Sequence, residues 1–121
     1  MGRISCSILL ALIVFSAGCA QQTQTEKTAE TTANVITIRG FAFNPPALTI
    51  KAGTTVTWVN EDSAPHIIAS DPHPTHTDLP GLVSGELSGG QNYSFIFNET
   101  GTFTYHCHVH PSMKGTIIVE G

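Results

Sequence analysis

Basic residues are scarce in this chain. Lys and Arg together number 5 among 121 residues, against 9 Asp plus Glu, for a formal net charge of -4. Nucleic-acid affinity draws on a positive footprint that releases counterions, so a nucleic-acid binder of the ordinary kind is excluded. Also missing are a Ser-centred nucleophile elbow, a phosphate-cradling glycine loop and a paired Cys-x-x-Cys. Their absence removes the usual signatures of serine hydrolysis, nucleotide binding and dithiol exchange, and no organic substrate is expected. Hydrophobic positions show no helical period. No apolar run reaches the roughly 20 residues that a spanning helix needs. Cysteine is limited to three residues, an odd count that no disulfide framework can fully use. Histidine, by contrast, is plentiful: there are six, five of them at or beyond position 73.

The N-terminus reads as an address rather than as fold. Arg3 supplies a short positive region, Ile8 to Phe15 is an unbroken apolar stretch, and Ser16-Ala17-Gly18 leads into Cys19. This is the layout of an export signal. Ser16-Ala17-Gly18-Cys19 resembles a bacterial lipobox, which implies cleavage before Cys19 and acylation of that cysteine. Leu is usual where Ser16 stands, so ordinary cleavage after Ala17 or Ala20 and an uncleaved anchor are the alternatives. Residues 1–18 are therefore expected to be a lipoprotein-type signal peptide. Residues 19–33 follow as a tether, five Thr among them and no large aliphatic or aromatic side chain, too polar to offset the entropy of ordering. The implied place is the cell envelope, lipid-anchored to a membrane and facing the periplasm or the cell exterior. Without the signal the chain carries four basic and nine acidic residues, a net -5. Cys6 leaves with the signal and Cys19 is consumed by lipid, so Cys107 remains the one free thiol. In an oxidising compartment a lone thiol is a liability unless it is buried or bound to metal.

Residues 34–121 read as one all-β domain. Short runs at 35–39, 48–50, 54–59, 65–69, 82–87, 91–97, 102–107 and 114–120 are rich in β-branched and aromatic residues and are separated by Gly, Pro and Asn. About eight short strands with such punctuation predict a β-sandwich or barrel. Phe103, Tyr105 and Cys107 share parity, so the thiol is expected to point inward at the end of a core-facing strand, with His106 and His108 turned the other way or into loops. Ser70 to Gly81, with three Pro, is expected to form a loop beside the functional end.

The chemistry concentrates in Tyr105-His106-Cys107-His108-Val109-His110-Pro111-Ser112-Met113. Cys107, His110 and Met113 follow one another at gaps of three, and Pro65-His66 lies upstream after a turn. A thiolate, two imidazoles and a weak thioether form a set of mixed softness. Trigonal His2Cys with a long axial Met is the ligation of a blue-copper electron-transfer site. Met113 as a simple core filler is the plainer alternative.

These residues resemble the cupredoxins, the type-1 blue copper proteins, and within them the amicyanin, plastocyanin and pseudoazurin group. The resemblance covers residues 34–121: the loop Cys107 to Met113, the upstream His66 preceded by Trp58-Val59-Asn60 and Ala64-Pro65, and the closing segment Met113 to Val119. It implies a Greek-key β-sandwich holding one copper that cycles between Cu(I) and Cu(II), with His66, Cys107, His110 and Met113 as ligands. It further implies single-electron transfer to redox partner proteins of the envelope, through His110 at a solvent edge stiffened by Pro65 and Pro111. Enzymatic catalysis is not expected. In many members of the family a polar residue after the first ligand ties the two ligand loops together; here it is Ile67, whose side chain cannot.

Several histidines stay outside this assignment. His73 and His76, in Pro72-His73-Pro74-Thr75-His76, are plain exposed residues, a partner contact or a weak secondary metal site. His106 and His108 flank Cys107 as in copper oxidases and nitrite reductases, but this single domain lacks the further His-x-His pairs such enzymes use, so His106 is expected to be a structural or surface residue behind the site. Competing functions are an envelope copper carrier or chaperone, a subunit of a copper oxidase or reductase, and a structural zinc site of Cys107, His66 and His110 with Asp71 or Asp78. Met113 argues against zinc.

Overall fold

The structure, a computed structural model, describes residues 34–121. The signal segment, Cys19 and the tether lie outside the described residues. Among the described residues there are eight strands: β1 (Val35–Ile38), β2 (Phe43–Asn44), β3 (Ala47–Lys51), β4 (Thr54–Asn60), β5 (Ile68–Ser70), β6 (Asn92–Phe97), β7 (Gly101–Cys107) and β8 (His110–Glu120). They form two four-stranded sheets, ordered β2-β1-β4-β6 and β3-β8-β7-β5. The chain changes sheet repeatedly, and β1 with β4 and β3 with β8 run parallel while the other neighbours are antiparallel. This is the sandwich expected from the strand pattern, in the Greek-key arrangement that the family resemblance implies.

Period-two alternation fills the space between the sheets. Ile36 and Ile38 of β1, Val56 and Trp58 of β4, Tyr105 and Cys107 of β7, and Ile117 and Val119 of β8 are all buried on the inner faces. Trp58 is the centre, with its ring 5.4 Å from that of Tyr105 in an edge contact and tilted against Tyr93 and Phe97. Opposite Tyr105 in the β7–β8 register stands Gly115. A Cβ there would lie 2.3 Å from the phenol ring, so glycine is required because the aromatic ring occupies the side-chain space.

Two details differ from the sequence expectation. Residues 82–87 make no named strand but two isolated bridges, His66 with Leu87 and Ala69 with Val83. Gly81 and Gly85 take positive φ there, and the Ser84 hydroxyl oxygen accepts the Ile68 amide at 2.9 Å, so a side chain replaces part of the ladder. The eighth strand is instead β2, two residues long and too short to leave a periodic signal. It pairs with β1 through a turn in which Arg39 and Ala42 exchange backbone hydrogen bonds at 3.0 and 3.2 Å. The central residues of this turn, Gly40 and Phe41, have φ of 63° and 57°. Such a primed turn matches strand twist, but glycine or asparagine normally supplies the positive φ; Phe41 in that region is strained.

Candidate metal centre

The site is built at one end of the sandwich from a hairpin and a loop. β7 and β8 are joined by the two-residue turn His108-Val109, which sets Cys107 opposite His110. The next pair in register is His106 with Lys114, so Pro111, Ser112 and Met113 form an extra bulge on β8. Bulges re-aim side chains beside functional sites. Here the bulge carries Met113, which like Cys107 is buried in the core. The other half is the Asn60–His66 loop. Asn60 is fully buried; its amide nitrogen donates to the carbonyls of Ala64 and Leu87, both at 2.9 Å, and its side-chain oxygen accepts from the Asp62 amide at 2.9 Å. With every polar atom of the Asn60 side chain engaged, the loop is locked and His66 is pinned to Leu87 by two backbone hydrogen bonds of 3.0 and 2.8 Å.

Three donors converge. The Cys107 sulfur lies 3.6 Å from His66 Nδ1 and 3.5 Å from His110 Nδ1, and the ligand atoms of all three residues lie within 4.8 Å of one another. Metal–sulfur and metal–nitrogen bonds of about 2.3 and 2.0 Å meeting at a trigonal angle leave a sulfur–nitrogen edge of about 3.7 Å, so the spacing fits a single ion bound by one thiolate and two imidazoles. Cys107 and His66 are fully buried, whereas His110 is half-buried and forms the solvent edge.

The surroundings prepare these atoms to ligate. A carboxylate only accepts, so His66 Nε2 carries the proton it donates to Asp62 at 3.0 Å. That fixes the tautomer and leaves Nδ1 with its lone pair turned toward Cys107, the carboxylate–imidazole arrangement that orients metal ligands. Asp62 also accepts the amides of Gly40 at 2.7 Å and Phe41 at 2.9 Å. Burial pushes its carboxyl up, but these two amides and His66 outweigh it and hold Asp62 below its ordinary value. The strained turn is thereby tied to the same carboxylate as the first imidazole. In consequence the Phe41 ring stands edge-on to both imidazoles, 5.2 Å from His66 and 5.0 Å from His110. Phe41 and Val109 are both about half exposed and give the His110 edge an apolar rim.

Ile67 does link the ligand loops, through its backbone. Its amide donates to the Cys107 sulfur at 3.4 Å and its carbonyl accepts the His108 amide at 2.9 Å. The main chain therefore makes the connection that the Ile67 side chain cannot. Met113 is buried, 6% exposed. Asp71 does not join the three donors, contrary to the zinc alternative that would use it: its carboxylate accepts instead from His106 Nδ1 at 2.6 Å. Asp78 is exposed and is absent from the donor cluster as well.

His106 is not a surface residue; it is fully buried. Among the described residues a second group of ring nitrogens, those of His73, His106 and His108, lies within 4.8 Å of one another, and His76 sits 3.2 Å from His108. Burial, then the neighbouring imidazoles, hold His76 below its ordinary value. Sequence reading missed Asp62, Phe41 and Asp71 as supports. An acid four residues before His66 was a usable signal for Asp62, whereas Phe41 and Asp71 reach their partners only through long-range strand pairing.

A β-sandwich closing over one thiolate and two imidazoles has the donor set of a type-1 copper centre, so the cluster is a candidate mononuclear copper site. The family model for copper-binding proteins of the plastocyanin/azurin family matches residues 29–120, and the chain belongs to that family. It is 37% identical over 91 residues to amicyanin of Paracoccus denitrificans, covering 71% of this chain and 64% of that protein. To plastocyanin of Scenedesmus fuscus it is 40% identical over 90 residues, covering 66% of this chain and 88% of that one. A solved structure of an oxidised amicyanin variant superposes with a TM-score of 0.64 at 34% identity, covering 74% of this chain and 83% of that chain. The chain thus matches a little under two thirds of the length of the Paracoccus amicyanin.

Proposed function

We propose that this protein is a single-electron carrier in which His66, Cys107 and His110 would hold one copper ion, with the Met113 thioether as a further, weak ligand. The observation that carries the reading is the buried thiolate–imidazole–imidazole set with both sulfur–nitrogen separations at 3.5–3.6 Å. Bound copper would supply the one-electron redox couple; the chain supplies a frame. Thiolate and thioether suit Cu(I), and imidazole serves both oxidation states. Asp62 holds the His66 ring, the Ile67 amide donates to the thiolate, and the hairpin fixes Cys107 against His110, so little reorganisation accompanies a change of charge. Water is kept from Cys107 and His66 by the core, while the apolar rim at His110 leaves one edge open to a redox partner. Family membership and the donor set support a non-catalytic role, and no step on an organic substrate is needed.

Export and lipid attachment extend this reading. The signal-like residues 1–18, the lipobox-like Cys19 and the polar tether support a carrier held at the cell envelope, meeting its redox partners outside the cytoplasm. Mass spectrometry of the membrane-fraction protein tests it: an acylated Cys19 at the new N-terminus is expected. A mature chain that begins at Gly18 or Gln21 and carries no lipid would refute the anchor.

The metal assignment is tested by the visible spectrum of the full chain loaded with one equivalent of Cu(II). An intense thiolate-to-copper charge-transfer band is expected, lost in Cys107→Ser. Its persistence in that variant, or its absence from verified copper-loaded protein, would refute the site. Copper retention on reduction separates the carrier of electrons from a carrier of copper: the rigid, buried set is expected to keep Cu(I), whereas a copper chaperone would release it readily.

A further inference from the structure

We propose that His73, His106 and His108, with His76 beside them, form a second metal site, one for a divalent imidazole-preferring transition ion, separate from the Cys107 centre. The core of the argument is His106. It is fully buried, and its Nδ1 must donate to the Asp71 carboxylate at 2.6 Å because a carboxylate only accepts. Its Nε2 is therefore the lone-pair nitrogen, and this buried atom has no hydrogen-bond partner. A buried acceptor left unpaired is costly, and the His106 ring faces those of His73 at 5.3 Å and His76 at 5.2 Å between centroids.

The rest of the cluster packs about the same ring. One ring nitrogen each from His73, His106 and His108 falls within 4.8 Å of the other two, while the His73–His108 and His76–His108 ring centroids are both 5.0 Å apart. His76 has a φ of 54°, an uncommon conformation for a residue with a side chain, and its amide donates to the Pro72 carbonyl at 2.7 Å. The loop is thus wound back so that His76 meets His108. A merely polar group of histidines would account for the His76–His108 hydrogen bond of 3.2 Å. It would not account for a carboxylate-oriented, buried His106 with an unpartnered ring nitrogen and further imidazoles packed about its ring. Asp71 gives His106 the same support that Asp62 gives His66, the outer partner that fixes a metal-binding tautomer.

Donor chemistry separates the two sites. Without thiolate or thioether, the imidazole cluster lacks the soft sulfur that selects for Cu(I) and suits divalent ions, Cu(II) ahead of Zn(II) in the usual order of affinities. His73 is exposed, so the ion has an entry route from solvent. His106 and His108 are the chain neighbours of Cys107, which places the second ion directly across the end of β7 from the first.

The test uses the full chain without a polyhistidine tag, its Cys107 site filled with one equivalent of copper. Titration with Cu(II) and, separately, with Zn(II) is expected to show one further equivalent bound, Cu(II) the more tightly. The added Cu(II) should give an electron paramagnetic resonance signal with nitrogen-only coupling, distinct from a thiolate-bound copper. The double variant His73→Ala, His76→Ala changes only loop residues; it should abolish the second equivalent and keep the first. Asp71→Asn should weaken the second ion about 10- to 100-fold with the first unchanged. A total of one equivalent per chain would overturn the proposal. So would second-ion affinity that is unaltered in the double variant, which would mark the ion as adventitious. Zn(II) uptake by Cys107→Ser through the same four histidines, lost on adding His73→Ala and His76→Ala, keeps this result independent of whether the first site holds copper.

Discussion

Asp62 is the point at which fold and metal centre are joined, and its replacement by Ala tests the argument most directly. Three hydrogen bonds are lost together: to the Gly40 amide, the Phe41 amide and His66 Nε2. The two amides lie at exposed positions, where water can take over, so each is worth about 0.5–1 kcal/mol. His66 is different, because the residue has no exposure and its Nε2–H would be stranded at a cost of about 1–3 kcal/mol. The expected loss in unfolding free energy of the metal-free protein is therefore about 2–5 kcal/mol. Copper affinity should fall about 10- to 100-fold as the imidazole loses its orienting partner. Asp62→Asn should recover only part of this, since both carboxylate oxygens accept from donors and an amide nitrogen would face one of them as a second donor. The assays are urea unfolding followed by the fluorescence of buried Trp58, and chelator competition for copper. Asp78→Ala, at an exposed side chain, serves as the control and should be near neutral. A loss below about 0.5 kcal/mol, with copper affinity unchanged in Asp62→Ala, would refute the idea that this carboxylate organises the site.

Gly115→Ala drives a methyl into the Tyr105 ring; with the phenol packed against Trp58 and Phe43, a destabilisation of about 1–3 kcal/mol or more is expected in denaturant titration, and a neutral result would show that the ring can move. Phe41→Gly relieves the positive-φ strain, worth about 1 kcal/mol, while removing the apolar cover of both imidazoles. Stability should hold or rise slightly while the half-time for copper extraction by chelator shortens, and slower extraction would contradict the shielding role. Burial pushes the phenols of both Tyr93 and Tyr105 above their ordinary value of 10.0. Above that pH the unfolded chain releases protons that the native state keeps, so stability is full below it and falls as pH rises through the raised native values. Phenolate absorption and unfolding at stepped pH check this; two tyrosines titrating at the ordinary value in the folded protein would contradict it.

The legible parts of the site are those encoded locally. Cys107, His110 and Met113 fall on one tight hairpin, so their spacing in the chain is nearly their spacing in the fold. The alternation of Ile36 with Ile38, of Phe103, Tyr105 and Cys107, and of Ile117 with Val119 marks inner faces because successive strand residues point to opposite sides. Length and composition point to one all-β domain at residues 34–121, and the charge balance speaks against a nucleic-acid partner. The sandwich, its strand count and the candidate donors were all available from these patterns.

Tertiary structure decided what those residues touch. His66 meets Cys107 across a sequence separation of 41, and only the packing of the Asn60–His66 loop against the hairpin closes that distance. Residues 82–87 carry a strand-like composition and bond through their backbone to His66, Ile68 and Ser70, yet with Gly81 and Gly85 at positive φ the pairing stays in isolated bridges. Phe41 reaches the two imidazoles through a strained turn whose energy is held down by Asp62, a contact that no local pattern encodes. His106 shows the division most clearly. Strand parity placed it away from Cys107, but whether that face met water or protein depended on the Ser70–Gly81 loop folding over β7. Burial and the Asp71 carboxylate followed from that loop, and they turned an unassigned histidine into an oriented donor.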